Sequence, residues 1–273
     1  MHNWLFRLLL GLGALVVAAS IGSPSQGSEL QITVTNDQPS GGFSVGGVWF
    51  GVQNGSFTPF TQGGTASSQI STLAQTGNTA PLAALFTGNG PETTLTSGNS
   101  VAQFLPGQSN TTTLNVSNPS ADQFLSYAAM VVPSNDFFLG NATPLQIFNS
   151  SGAFIGPVTI QVFGSNIWDS DTEVQSTTSG LTFVVGQTPG GGTQISGGSI
   201  APLFSEAGAP SFLQSIEGLP TIGGYTVTSD FGPTDLIATI QINSVPEPTS
   251  VVMLGIGAAA LLLARCRTAS RKR

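Results

Sequence analysis

Residues 127–140 read YAAMVVPSNDFFLG. The run Ala128, Ala129, Met130, Val131, Val132 is apolar throughout, which marks a buried strand. Pro133-Ser134-Asn135-Asp136 is a turn of residues that favour turns for separate physical reasons, and an aromatic pair and a glycine follow. The stretch lies near the middle of the chain and places a carboxylate, Asp136, at the mouth of an apolar strand.

Flanking stretches carry the same signature. Residues 29–35, ELQITVT, alternate apolar and polar side chains and are rich in β-branched residues, so they predict a strand. Residues 43–52, FSVGGVWFGV, predict a more fully buried one, ended by the Gln53-Asn54-Gly55 turn. Further strands are predicted over 111–116, 124–132, 158–163, 181–185, 225–228 and 235–242. Residues 67–77 form either a short helix, with Ser67 or Ser68 as cap and Gly77 as stop, or a loop with one helical turn. Residues 187–199, QTPGGGTQISGGS, read as a flexible linker, since neither a helix nor a lysine follows to make a phosphate cradle. About eight strands separated by Gly, Pro and Asn turns predict an all-β antiparallel sandwich, with a barrel as the alternative.

Both chain ends stand outside this domain. Residues 1–20 read as a secretory signal peptide: Arg7, an apolar stretch over 8–19, then small residues. That stretch is about a dozen residues, short of the roughly 20 a membrane span needs, although a permanent anchor is the competing reading. Residues 28–244 form the exported domain, and residues 245–273 read VPEPTSVVMLGIGAAALLLARCRTASRKR. In this tail prolines stiffen an exposed segment, a short apolar helix enters the bilayer, and the basic cluster stays cytoplasmic.

Composition excludes several chemistries. All thirteen Asp and Glu lie between Glu29 and Glu247, whereas the six Lys and Arg, the single His2 and the single Cys266 lie outside 28–246. Without cations the domain has no footprint for nucleic acid. Without His or Cys it builds no Ser-His-Asp or Cys-His site, no His/Cys zinc site and no disulfide framework. Oxygen ligands remain, and these suit Ca²⁺. Asp136 and the WDSDTEV block (Asp169, Asp171, Glu173) are the candidate ligands. Alternate spacing in an extended segment places the last three on one side, where they repel unless a cation or protons neutralise them. A solvated acidic turn is the plain alternative. The spacing is not that of an EF-hand.

Two resemblances sharpen this reading. Pro246-Glu247-Pro248, the short apolar run and the terminal arginines closely resemble the PEP-CTERM sorting signal of Gram-negative bacteria. That implies recognition by an exosortase, cleavage near the motif, release to the cell surface from a transient inner-membrane anchor, and a setting of exopolysaccharide or biofilm production. A plain C-terminal anchor is the alternative.

Residues 130–140, MVVPSNDFFLG, match the M-x-x-P-S-x-D-x-F-x-G block of the spondin domain, found in F-spondin-like matrix proteins and many bacterial surface proteins. Residues 49–55, residues 64–67 with 73–78, and residues 169–174 resemble its other blocks. Gln53 stands where the family often has His, Gln75 where it often has Glu, and Asp171 where it has Gly. The resemblance implies a C2-like sandwich with a divalent-cation site, usually Ca²⁺, in loops at one end. Carried over by position, Asp136 and Asp169 are the foremost ligands and Glu173 the next, with Asp171 particular to this chain.

The expectation is an exported, non-enzymatic surface or matrix adhesion protein whose partners are extracellular polysaccharide or a surface protein. Two alternatives stand. One is a secreted glycoside hydrolase using Asp136 with Asp169 or Glu173 as acid and base. The other is a structural coat component without a specific ligand.

Overall fold

The computed structural model describes residues 27–245. The predicted signal peptide, the sorting helix and Pro246, Glu247 and Pro248 lie outside the described residues. Among the described residues no helix is long and apolar enough to cross a membrane.

The domain is a sandwich of two antiparallel sheets. The smaller holds β1 (Ser28–Asn36), β5 (Ser109–Val116), β9 (Val158–Phe163) and β12 (Leu236–Val245), in the order β5-β1-β12-β9. The larger is built on β6 (Phe124–Val132) and β3 (Val48–Gln53). It runs β11 (Ala201–Pro202), β10 (Ile167–Asp169), β7 (Phe137–Gly140), β6, β3, β4 (Glu92–Leu95), and the two-residue strands β2 (Ser44–Val45) and β8 (Leu145–Gln146) pair with β6.

In β1 the alternation seen in the sequence is obeyed: Leu30, Ile32 and Val34 enter the core. On its outer face Thr33 and Thr35 pair across the strands with Thr111 and Ser109. β6 is different, and the reason is visible in its neighbours. Leu125, Tyr127, Ala129 and Val131 point between the sheets with Phe50 and Val52. Ala128 instead faces the outer side, where Trp49, Phe138 and the helices α1 (Ser68–Thr76) and α2 (Ala80–Phe86) build a second core through Ile70, Leu73, Leu82 and Phe86. A strand covered on both faces has no polar side to present, so its sequence cannot alternate.

Of the two readings of residues 67–77 the helix is realised. Ser67 Oγ accepts from Ile70 N–H, and Gly77, at φ +71°, closes the C-terminus by donating to Leu73 O. α2 and α3 (Ala209–Ser215) were not predicted, although each carries a proline in its first turn.

The strand count is twelve rather than about eight, the surplus being mainly two- to four-residue pieces. The predicted 43–52 strand breaks at Gly46-Gly47 into β2 and β3. Residues 181–185 form only isolated bridges at Thr182 and Val184, because Phe183 sits at φ +81°, outside any strand conformation. Residues 225–228 likewise make only one bridge, at Thr226.

Register fixes where the ends point. Glu29 faces Val245 at one end of the small sheet and Asn36 faces Ala238 at the other.

Candidate functional site

The acidic site begins where β6 leaves its sheet. Ser134, not Asp136, holds the turn: its Oγ donates to Val131 O and accepts from Phe137 N–H. Asp136 is thereby released from its own turn, and it is fully buried. The β7–β10 register then places Asp169 opposite Phe137, one residue from Asp136. Two carboxylates 33 positions apart in sequence meet because neighbouring strands end together.

Asp136 clamps the acidic block. Its Oδ2 accepts from Thr172 N–H at 2.6 Å, Glu173 N–H at 2.9 Å, and the hydroxyls of Ser170 and Thr172, each at 3.0 Å. Its Oδ1 accepts from Gln175 Nε2 at 2.7 Å. The same amide nitrogen donates to Asp169 Oδ2 at 3.0 Å, so one neutral N–H₂ group bridges two carboxylates. Gln175 Oε1 is buried without a hydrogen-bond partner.

Asp169, only 2% exposed, accepts the N–H of Asp171 on Oδ1. Burial first, and then the Asp136 charge, push its carboxyl up from the ordinary 3.8 to about 8, with Glu206 and Asp171 adding and the Asp171 N–H opposing. No cationic side chain lies between residues 27 and 245 to offset this.

Asp169, Asp171 and Glu173 do not line one side of an extended segment. Asp171 takes a left-handed φ of +49°, which turns the chain. Its Oδ2 accepts from Ser199 N–H. Glu173 is buried elsewhere, with Oε1 on Gly192 N–H and the Asn135 and Gln194 side-chain amides acting on its carboxylate. Burial raises its pKa and the Gly192 N–H opposes. A Cβ on Gly180 would lie 1.8 Å from Glu173 Oε1, and one on Gly192 would lie 2.0 Å from it, so a side chain at either position would displace the Glu173 carboxylate.

The glycine-rich loop 187–199 is therefore no free linker. It runs beside the acidic block through Val174 N–H to Thr193 O and Ile195 N–H to Thr172 O. The last turn of α1 braces it: Gln75 Nε2 donates to Thr172 Oγ1 and Gln194 Oε1. Gln53 has a separate task, accepting Gly55 and Phe57 N–H to hold the turn after β3.

Sequence reasoning missed Gln175 and Glu206. With Asp169, Phe137 and Phe212 they line a cavity of about 120 Å³. Gln175 stands two residues beyond the acidic block, and its amide was the only available signal. Glu206 is brought in by the segment between β11 and α3, and its carboxyl is raised by burial, then by Asp171 and Asp136. Among the described residues, no three Asp, Glu, His or Cys side chains gather as a group that could hold a metal ion. The four predicted ligands thus divide: Asp136 and Asp169 share one amide, Asp171 faces the 198–199 backbone, and Glu173 faces Gly192.

A family model described as Spondin_N matches residues 48–196, more than half of the chain and all four of these carboxylates. A second, described as the PEP-CTERM protein-sorting motif, matches residues 244–267, so it begins inside the last two residues of β12. No curated protein matches the chain.

Proposed function

Since this chain belongs to the Spondin_N family, we propose that it is a calcium-stabilised adhesion protein that binds extracellular polysaccharide or another surface protein in a biofilm setting. Spondin_N is a non-enzymatic domain family, and the PEP-CTERM motif makes the chain an exported surface protein processed by an exosortase, with a membrane-anchored C-terminal sorting signal.

The observation carrying the calcium reading is the shared amide of Gln175. Its nitrogen lies between two carboxylate oxygens while its oxygen is orphaned. Amide nitrogen and oxygen exchange places by a half-turn. After that half-turn Gln175 Oε1, Asp136 Oδ1 and Asp169 Oδ2 are three hard oxygen donors converging with two negative charges, a donor set that fits Ca²⁺ and suits softer metals poorly. Asp136, Asp169 and Gln175 would hold the ion, with Glu206 on the cavity wall; the ion would supply the positive charge that the domain's side chains lack. Asp171 and Glu173 would shape the turn from outside.

The test uses beads carrying the full chain and polysaccharide extracted from the producing cells. Retention is expected with millimolar calcium and lost with chelator, and lost in an Asp136→Asn plus Asp169→Asn protein. Equal retention with and without calcium overturns the calcium reading. No retention on extracted polysaccharide or on intact cells overturns adhesion.

A further inference from the structure

A second concavity lies away from the acidic cavity. It is about 220 Å³, bounded by the α1–α2 junction (Asn78, Thr79), by β4 and its exit (Thr94, Thr96) and by Gln103. None of its lining residues is charged, in a domain where carboxylates are the only ionic side chains. Gly47 forms part of the floor: a Cβ there would stand 3.2 Å from Thr96 Cγ2 and 3.5 Å from Thr94 Cγ2, filling the space. The walls are tied together, with Thr79 and Thr94 hydroxyls 3.1 Å apart.

Several polar groups here are unused by the fold. Among the described residues nothing bonds Thr96 Oγ1 or Asn78 Nδ2. The Gln103 side-chain amide takes no part in the hydrogen bonding of the fold, and its Oε1 is buried without a partner. Gln103 Oε1 is enclosed by protein, so what the cleft can offer a partner is the Thr96 hydroxyl and the Asn78 and Gln103 amide nitrogens, which the fold leaves unused. Free hydroxyl and amide groups, with Val101 as the apolar contact, suit a ligand carrying many hydroxyls and no charge. An acidic polymer would meet the repulsion of a domain with no cationic side chain. A volume below the roughly 300–1,000 Å³ of drug-sized sites fits one sugar unit of a longer chain.

We propose that this cleft is a binding site for a neutral polysaccharide, gripped one sugar at a time by Thr96, Asn78 and Gln103. The proposal deepens the adhesion reading and rests on it for the extracellular setting alone.

The full chain, in a sugar-free zwitterionic detergent, is titrated with maltohexaose, cellohexaose and mannohexaose by calorimetry and saturation-transfer NMR. Concentrations reach about 10 mM, enough to fill a millimolar site. Polygalacturonate serves as the anionic comparison. At least one neutral hexaose is expected to bind, and Thr96→Val plus Gln103→Leu to weaken it by about tenfold or more. That variant is expected to melt with the parent, because neither side chain bonds within the fold.

Binding unchanged in the variant overturns the cleft. So does binding that survives there but vanishes in Asp136→Asn, an outcome that moves the sugar to the acidic end and leaves adhesion standing. Polygalacturonate binding as tightly as the neutral hexaoses overturns the charge argument. Absence of any hexaose binding overturns the proposal, and the bead assay on extracted polymer then judges the adhesion reading separately.

Discussion

Asp136→Ala and Asp136→Asn should part sharply. Alanine removes the one acceptor that the Thr172 and Glu173 N–H groups have among the described residues; Glu173 is buried and Thr172 half-buried. A stranded buried donor costs about 1–3 kcal/mol. Two of them give a loss of about 2–6 kcal/mol, a large part of the roughly 5–15 kcal/mol that holds a domain together. Asparagine keeps an oxygen for both N–H groups. Its new amide nitrogen meets Gln175, whose orphaned Oε1 accepts from it after a half-turn. The same change removes the charge that burdens Asp169. The cost should fall to about 1 kcal/mol or less, the size of one net hydrogen bond. Urea unfolding in chelator at pH 7 measures both, followed by the fluorescence of Trp168, which hydrogen-bonds Gly140 O and packs on Phe60 beside the site. Equal losses in the two variants, or a loss below about 1 kcal/mol in the alanine variant, would refute the clamp.

Other outcomes follow from the same geometry. In chelator, stability should fall as pH rises from about 4 towards 8. The folded Asp169 carboxyl keeps its proton up to about 8 while the unfolded one loses it near 3.8, so the slope approaches about 1.4 kcal/mol per pH unit. Asp169→Asn should flatten that slope, as seen in melting temperature against pH. Gly192→Ala pushes a methyl to 2.0 Å from Glu173 Oε1 and should cost about 1–3 kcal/mol, and Glu173→Ala in the same chain should recover part of it in a double-mutant cycle. Gly51→Ala drives a Cβ to 2.7 Å from the Trp49 ring and 2.8 Å from Phe86, and should lower the urea midpoint by a similar energy.

The fold was legible where residue pattern and burial agree. Leu30, Ile32 and Val34 alternate because one face of β1 is outside, and the unbroken run ending in Val132 reads as a buried strand, which the structure covers on both faces. Ser67 and Gly77 offered caps that left residues 67–77 open between a helix and a single helical turn, and the helix is realised. Phe183 was not legible: a β-branched and aromatic stretch reads as a strand, but its left-handed backbone is imposed by the tertiary setting. In the site, Asp136 stood out at the mouth of an apolar strand and Asp169 in an acidic block, and it was the family resemblance that ranked these two first. Their meeting depends on the β7–β10 register, and Gln175 and Glu206 enter through turns whose course no local pattern encodes. Loop 187–199 was misread for the same reason. Gly192 serves close approach to Glu173 and Gly198 close approach to Asp171, both side chains distant in sequence.

The central claim is that Asp136, Asp169 and Gln175 form the cation-holding end of a surface adhesion domain. A calcium titration of the full chain followed by melting temperature tests it most directly. At tenfold over the dissociation constant the stabilisation is about 1.4 kcal/mol, a rise of about 3–6 °C for a domain of this size. The account predicts that rise in the parent chain and none in Asp136→Asn plus Asp169→Asn. No rise at millimolar calcium, or the same rise in both proteins, would contradict it.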